Sequence, residues 1–344
     1  MGVRRYRLVL ALLALGLVAS VLLAVGFGAV EISPGSALRL VAWKLGLIDR
    51  PDVPRSIEVI LLQLRLPRVA LAMLVGLALA TSGTLFQGLF RNPLADPAII
   101  GVSSGAALGA IAVIVVGGGA LLGGLGVSVA AFVGAMLTAF FVYRLARVGP
   151  TVHVATLLLA GIAVAAVISA VMSLIMSFAG EEIRSIYFWL LGGLSARGWT
   201  AVEVVVPLVA LGVLGSLVLI RDLNIVALGE ERAAQLGVDV DGFKWQAVAL
   251  GALLTGAAVS VSGVIGFVGL MTPHLLRLVV GADHRRLLPA VLLAGPMFLV
   301  LADLVARVAI APQELPLGAV TALIGGPFFL LLLRRERRVA GAAA

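Results

Sequence analysis

The sequence predicts an all-α protein threaded many times through a membrane, and three observations carry that prediction. Hydrophobic residues make up 62% of the 344-residue chain and charged residues only 12%. A soluble domain carries roughly a quarter charged residues, so this composition cannot cover one with a wetted surface. The mean hydropathy is +1.18, and the apolar residues are gathered into runs of about 20, the length a helix needs to cross a hydrocarbon core. Connections between the runs are short, which leaves one membrane domain over residues 1–344. Backbone polar groups inside hydrocarbon must be satisfied internally, so each run reads as a helix.

In chain order the runs are 8–30, 66–90, 98–116, 127–145, 155–178, 201–220, 243–263, 264–280, 287–308 and 315–333. The first follows Arg4, Arg5 and Arg7, as a secretory signal would. It is longer than the roughly 7–15 apolar residues of such a signal, so it reads as a retained span. About ten spans of this length put both termini on one side, together with Arg91, Arg144, Arg147, Arg221, Arg232, Lys244, Arg285, Arg286, Arg334, Arg335, Arg337 and Arg338. The other side holds fewer basic residues, mostly balanced by acids, so the termini are expected in the cytoplasm of a multi-pass cell-membrane protein. The net charge of +8 is mostly this bias and implies no nucleic-acid partner. Cysteine is absent, which excludes disulfides and thiolate metal sites.

Laying 74–93 over 254–273 without gaps matches Gly76 to Gly256, Ser82 to Ser262, Gly83 to Gly263 and Pro93 to Pro273. Five spans separate the two starts. An odd number makes the copies inverted in the membrane, an arrangement common among transporters.

The chemistry that is missing narrows the function. There is no G-x-x-x-x-G-K-[ST], and the only lysines are Lys44 and Lys244, so no P-loop can form. His153, His274 and His284 are scattered without metal-ligand spacing, and no nucleophile, base or metal set marks a catalytic site. Asp303 stands four residues before Arg307 on one helix face, which predicts a local ion pair rather than a proton relay.

Three segments remain as functional candidates. The first is the long connection 221–241, in which Glu230 and Glu231 open a short helix favourably for its dipole and Gly237 can close it. Such a helix suits docking on a soluble partner, or serves as a solvated connector. The second is the fifth span, with Ser169, Ser173 and Ser177 at i, i+4 and i+8 and Met172 and Met176 alongside. A stripe of that kind lines a wet path or glues two helices together. The third is the outer rim. There Arg65 and Arg68 flank Leu-Pro at the start of the second span, and Arg307 ends the ninth on the same side. Such arginines either meet an acidic partner or snorkel to headgroups. Arg184 and Trp189 follow the fifth span, and Arg184 suits an anionic ligand or pairs with Glu181.

Four stretches carry a resemblance. They are RLPRVALAMLVGLALATSGTLFQGLFRNPLADPAIIGVSSGAALGA (65–110), ALGEERAAQLGV (227–238), SGVIGFVGLMTPHLLRLVVGADHRRLLP (262–289) and LADLVARVAIAPQELPLGAVTALIGGPFFLLLLRR (301–335). In order and spacing they resemble the permease subunits of type II ABC importers, the iron-siderophore, haem and cobalamin uptake family. The resemblance implies a second permease copy and two cytoplasmic ATPase subunits that bind the ATP and Mg, so this chain holds no cofactor or metal. It further implies an external substrate-binding protein that meets Arg65, Arg68 and Arg307. Coupling to the ATPase falls on Leu228, Gly229, Glu230, Glu231, Ala233, Ala234, Gln235, Leu236 and Gly237. The path falls on the fifth span, the outer helix after it and the tenth span. Arg184 and Trp189 resemble the iron-chelate and haem permeases more than the cobalamin ones. A self-sufficient ion-coupled transporter is the rival class, and it would need mid-membrane ionisable groups that the sequence hardly offers.

Overall fold

The structure is a computed structural model describing residues 2–342 other than 29, 31, 150 and 196. The side chains of 34, 120, 123, 148 and 333–342 are also outside the described set. The basic side chains of Arg334, Arg335, Arg337 and Arg338 therefore lie outside the described residues.

The chain runs through α1 (Val3–Gly26), α2 (Pro34–Lys44) and α3 (Arg55–Val59), which passes through a π-helical turn (Ile60–Arg65) into α4 (Leu66–Leu89). Next come α5 (Val102–Val115), α6 (Leu121–Gly124), α7 (Gly126–Ala146), the strands β1 (Arg147–Val148) and β2 (Thr151–Val152), α8 (Val154–Ser177) and α9 (Ile183–Leu190). The second half comprises α10 (Trp199–Val218), α11 (Ile220–Val226), α12 (Glu230–Gln235), α13 (Val240–Ser262), α14 (Val268–Val280), α15 (His284–Val308) and α16 (Leu317–Ala342).

Among the described residues, seven helices are long and apolar enough to cross a membrane: α1, the continuous stretch Arg55–Leu89, α7, α8, α10, α13 and α15. The other three predicted runs contain the shorter apolar helices Val102–Val115, Val268–Val280 and Leu317–Leu332. Two of these are short for a local reason. The run at 98–116 begins as a 3-10 turn, Pro97–Ile100, because Asp96 caps the Ala98 amide at 2.8 Å and Gly101 turns left-handed. The run at 264–280 begins with non-helical backbone, and Phe267 at φ +69° precedes α14. The antiparallel pair β1–β2 departs from the all-α expectation. It gives the link between α7 and α8 backbone partners that helix ends lack.

Helices α4 and α13 form the centre, with 78% and 72% of their apolar windows buried. Small residues allow this approach: a methyl group at Gly83 would collide with the Gly269 carbonyl of α14. Helix α4 packs on α14 and α15 as α13 packs on α5 and α7, which is the pairing that the internal match requires. The correspondence ends at Ser82 and Ser262. Helix α4 continues to Leu89, whereas α13 stops at Ser262, so Pro93 lies in a turn and Pro273 inside α14.

Two faces result. On one, the Tyr6 hydroxyl donates to the Arg286 carbonyl at 3.2 Å and Asn224 donates to Asp283 at 2.8 Å, beside α11, α12 and the β1–β2 hairpin. The opposite face gathers the end of α1, Arg65, Arg68, the 191–198 segment and residues 307–316.

Candidate functional sites on the two faces

On the α12 face, Gly229 (φ +111°) turns the chain from α11 into α12, and Glu230 and Glu231 occupy the first turn. Gly237 at φ +82° donates its amide to the Ala234 carbonyl at 3.0 Å, and the Val238 amide reaches the Ala233 carbonyl at 3.0 Å. This is the Schellman closure, which needs a residue in the left-handed region where glycine bears no steric cost. Ala233 is fully buried and seats the helix, while Glu231, Ala234, Gln235 and Gly237 are exposed and Gly229 and Glu230 half-buried. Leu228 and Leu236 flank it, each 56% exposed. These two leucines stand out of a polar surface helix as apolar side chains left largely uncovered among the described residues.

Beneath α12, Lys244 is 3% exposed. Its ammonium donates to Glu230 Oε2 and to the Val152 carbonyl, both at 2.6 Å, and the Val152 amide donates to Asp241 Oδ1 at 3.1 Å. Sequence reading missed this cluster. Its one signal was a lone lysine at the start of an apolar run. Nearby, the Asp283 carboxyl is held below its ordinary range by the Arg285 amide, with Asn224 and neighbouring arginines adding to the effect.

On the opposite face, the three rim arginines have different surroundings. Arg65 and Arg307 are each 6% exposed and turn inward. Arg65 donates to the carbonyls of Val25, Gly26 and Val30, and Arg307 to those of Ala24 and Phe27. The cause lies in α1, whose last carbonyls have no helical partner and take the guanidinium donors instead. The predicted local pair is present, with Arg307 Nε 3.1 Å from Asp303. Arg68 bridges outward, 2.9 Å from Asp303 and 2.8 Å from Glu314. Ser195 donates to the same Glu314 at 2.5 Å. Burial would raise the Glu314 carboxyl, but hydrogen bonds from Arg68 and Ser195 and the nearby arginine charge outweigh it and hold it below its ordinary range. Glu314, Ser195 and Arg197 were not singled out from the sequence.

Two adjacent cavities open here. One of about 500 Å³ is lined by Arg68, Trp189, Ser195, Arg197, Glu314 and Leu317. Its neighbour, about 400 Å³, shares Arg68, Ser195, Arg197 and Glu314 and adds Arg65 and Arg307.

Helix α8 is the least covered of the long apolar helices, with 6% of its window buried. Ser169, Ser173 and Ser177 are exposed, and Ser173 and Ser177 back-bond to the carbonyls of Ser169 and Leu174. The methionines part from them. Met172 and Met176 are half-buried against a cluster of Ile111, Ala179 and Ile186, so they secure α9 rather than share the serine face. Arg184 is exposed and lies 5.7 Å from the centre of the Phe188 ring, with no carboxylate pairing it among the described residues. Trp189 lines the larger cavity, and its indole N–H has no acceptor among the described residues. No group of three His, Asp or Glu that could hold a metal ion occurs among the described residues.

The model of the FecCD transport family matches residues 16–335. This chain belongs to the FecCD transport family. Relatives agree with that placement. The cobalamin import system permease protein BtuC of Halobacterium salinarum is 49% identical over 83% of this chain and 76% of its own length. The hemin transport system permease protein HmuU of Yersinia pestis is 44% identical over 80% and 83%. The Fe(3+) dicitrate transport system permease protein FecD of Escherichia coli is 38% identical over 81% and 86%. A solved structure described as an inward-facing metal-chelate type ABC transporter superposes at a TM-score of 0.80, with 33% identity, covering 95% of this chain and 98% of that one. This FecCD chain is an ABC importer permease, a polytopic membrane protein.

Proposed function

We propose that this permease is one half of the membrane channel of an ATP-driven importer for iron complexes, ferric siderophores or haem. A cytoplasmic ATPase docks on α12 through Leu228, Ala234 and Leu236, and it supplies the ATP and Mg chemistry. A second copy covers α8 and α16. An external binding protein meets the Arg65–Arg68–Arg307 face, where Arg68 and Glu314 form the reachable part and the two buried arginines add their field. The termini are cytoplasmic, as the basic residues require.

The observation that carries this reading is α8. An apolar helix with 6% of its window covered and a row of exposed serines needs a partner that is neither lipid alone nor packed protein. A wet path between two copies meets both demands. The relatives named for hemin and ferric dicitrate support the iron reading. The 49% identity to a cobalamin permease favours corrinoid as the second reading.

The test is uptake into liposomes holding the permease with its ATPase, supplied with haemin, ferric citrate or cyanocobalamin on the cognate binding protein. ATP-dependent uptake of haemin or ferric citrate is expected. Uptake confined to cyanocobalamin selects the second reading, and uptake without any ATPase would overturn both.

A further inference from the structure

The outer face carries more positive charge than its own acids balance. Arg65, Arg68, Arg197 and Arg307 line the two cavities, and the acids beside them are Asp303 and Glu314. Both acids are committed, Asp303 to Arg68 and Arg307 and Glu314 to Arg68 and Ser195. Arg65 is committed to carbonyls. Arg197 alone of the four has no hydrogen bond or ion pair among the described residues, although it is half-buried. It borders both cavities.

We propose that Arg197 is an anion-receiving residue of the outer mouth, holding an ionised carboxylate presented to the cavity it shares with Trp189, Ser195 and Leu317. This rests on the importer reading and deepens it by naming the charge of what enters. An arginine stays charged at any physiological pH, so it cannot escape partial burial by losing its proton. A half-buried, unpaired guanidinium costs free energy that a carboxylate returns through two parallel, charge-assisted hydrogen bonds. Burial lowers the Arg197 pKa and no neighbouring acid offsets this. Trp189, whose buried indole N–H has no acceptor among the described residues, stands in the same wall. Cavities of about 500 and 400 Å³ give room for an acid-bearing arm of a chelate, not only for an ion. The carboxylate belongs either to the transported chelate or to an Asp or Glu of the delivering protein.

The experiment uses the complete permease–ATPase complex in nanodiscs, as wild type, Arg197→Gln and Arg197→Lys. Gel filtration and basal ATP hydrolysis verify assembly. Calorimetric titrations with ferric citrate, haemin and cyanocobalamin read cargo binding, and association of the cognate binding protein at low and high salt reads docking. If the chelate supplies the carboxylate, Arg197→Gln weakens ferric citrate and haemin by about tenfold, Arg197→Lys falls between, and cyanocobalamin, whose side chains are amides, is unchanged. If the protein supplies it, only the association rate falls, and the fall disappears at high salt. Wild-type behaviour of Arg197→Gln in both arms overturns the proposal, as does an equal loss for all three probes. A wild-type complex that, moved into liposomes, takes up none of the probes removes the importer reading itself.

Discussion

Lys244 and Glu230 meet at 2.6 Å beneath the surface helix α12. The same ammonium donates to the Val152 carbonyl, whose residue also donates its amide to Asp241. Val152 ends β2, and α8 begins two residues later at Val154. One buried side chain thus ties the helix proposed to receive the ATPase to the strand that leads into the helix proposed to line the path. A rigid ion pair with short hydrogen bonds transmits displacement where a loop would absorb it.

Replacing Lys244 with Met keeps the aliphatic stem and removes the charge. The loss is expected to be about 2 kcal/mol locally, because one charged donor serves two acceptors and Glu230 retains some access to water. Hydrogen exchange at the Val152 amide should accelerate. ATP hydrolysis should persist while uptake per ATP falls, and Lys244→Arg should restore part of it. Normal coupling in a well-assembled Lys244→Met complex would make the pair merely structural.

At Leu236 a charge should act differently. The side chain is 56% exposed and holds nothing in the fold, so Leu236→Arg leaves stability within about 0.5 kcal/mol. Co-purification of the ATPase should drop by an order of magnitude or more, read by pull-down from solubilised membranes. Retained ATPase at wild-type level argues that α12 is a connector.

Much of this arrangement was legible in the sequence because composition and run length act over whole segments. The ten apolar runs all contain helices, and the Asp303–Arg307 pair follows from helical spacing. Gly237 closes α12 as a glycine after a short helix should. What spacing cannot give is which way a long side chain turns. Arg65 and Arg307 stand at the outer rim, and the carbonyls at the end of α1, some forty and 280 residues away in sequence, draw them inward. The same holds for Met172 and Met176, whose helical spacing matches the serines but whose contacts come from α5 and α9.

That separation of serines and methionines makes opposite predictions for two tryptophan substitutions. Ser173→Trp places its ring on the exposed face and should block uptake while the complex assembles normally. Met176→Trp forces a larger ring among Ile111 and Ile186 and should destabilise by about 1–3 kcal/mol through overpacking. Thermal denaturation with transport in liposomes distinguishes them. If Ser173→Trp assembles and transports normally, the serine face is not part of the path.

The outer ring should respond to acid. Glu314 is held below its ordinary range, so its contribution to folding is present above the unfolded carboxylate pKa and is lost as pH falls through the lower folded value. Its partners are Arg68 at 2.8 Å and Ser195 at 2.5 Å, so protonation loosens the 307–316 segment from α4 and from the 191–198 segment together. Glu314 is partly exposed, and solvent screening keeps the effect on global stability small. The local readout is hydrogen exchange of residues 310–317. Protection there should hold from neutral pH down to the ordinary glutamate range of about 4.3 and fall only below it in the wild type. It should be low and flat with pH in Glu314→Gln. Identical pH profiles in the two proteins would show that the Arg68–Glu314 bridge does not hold this segment.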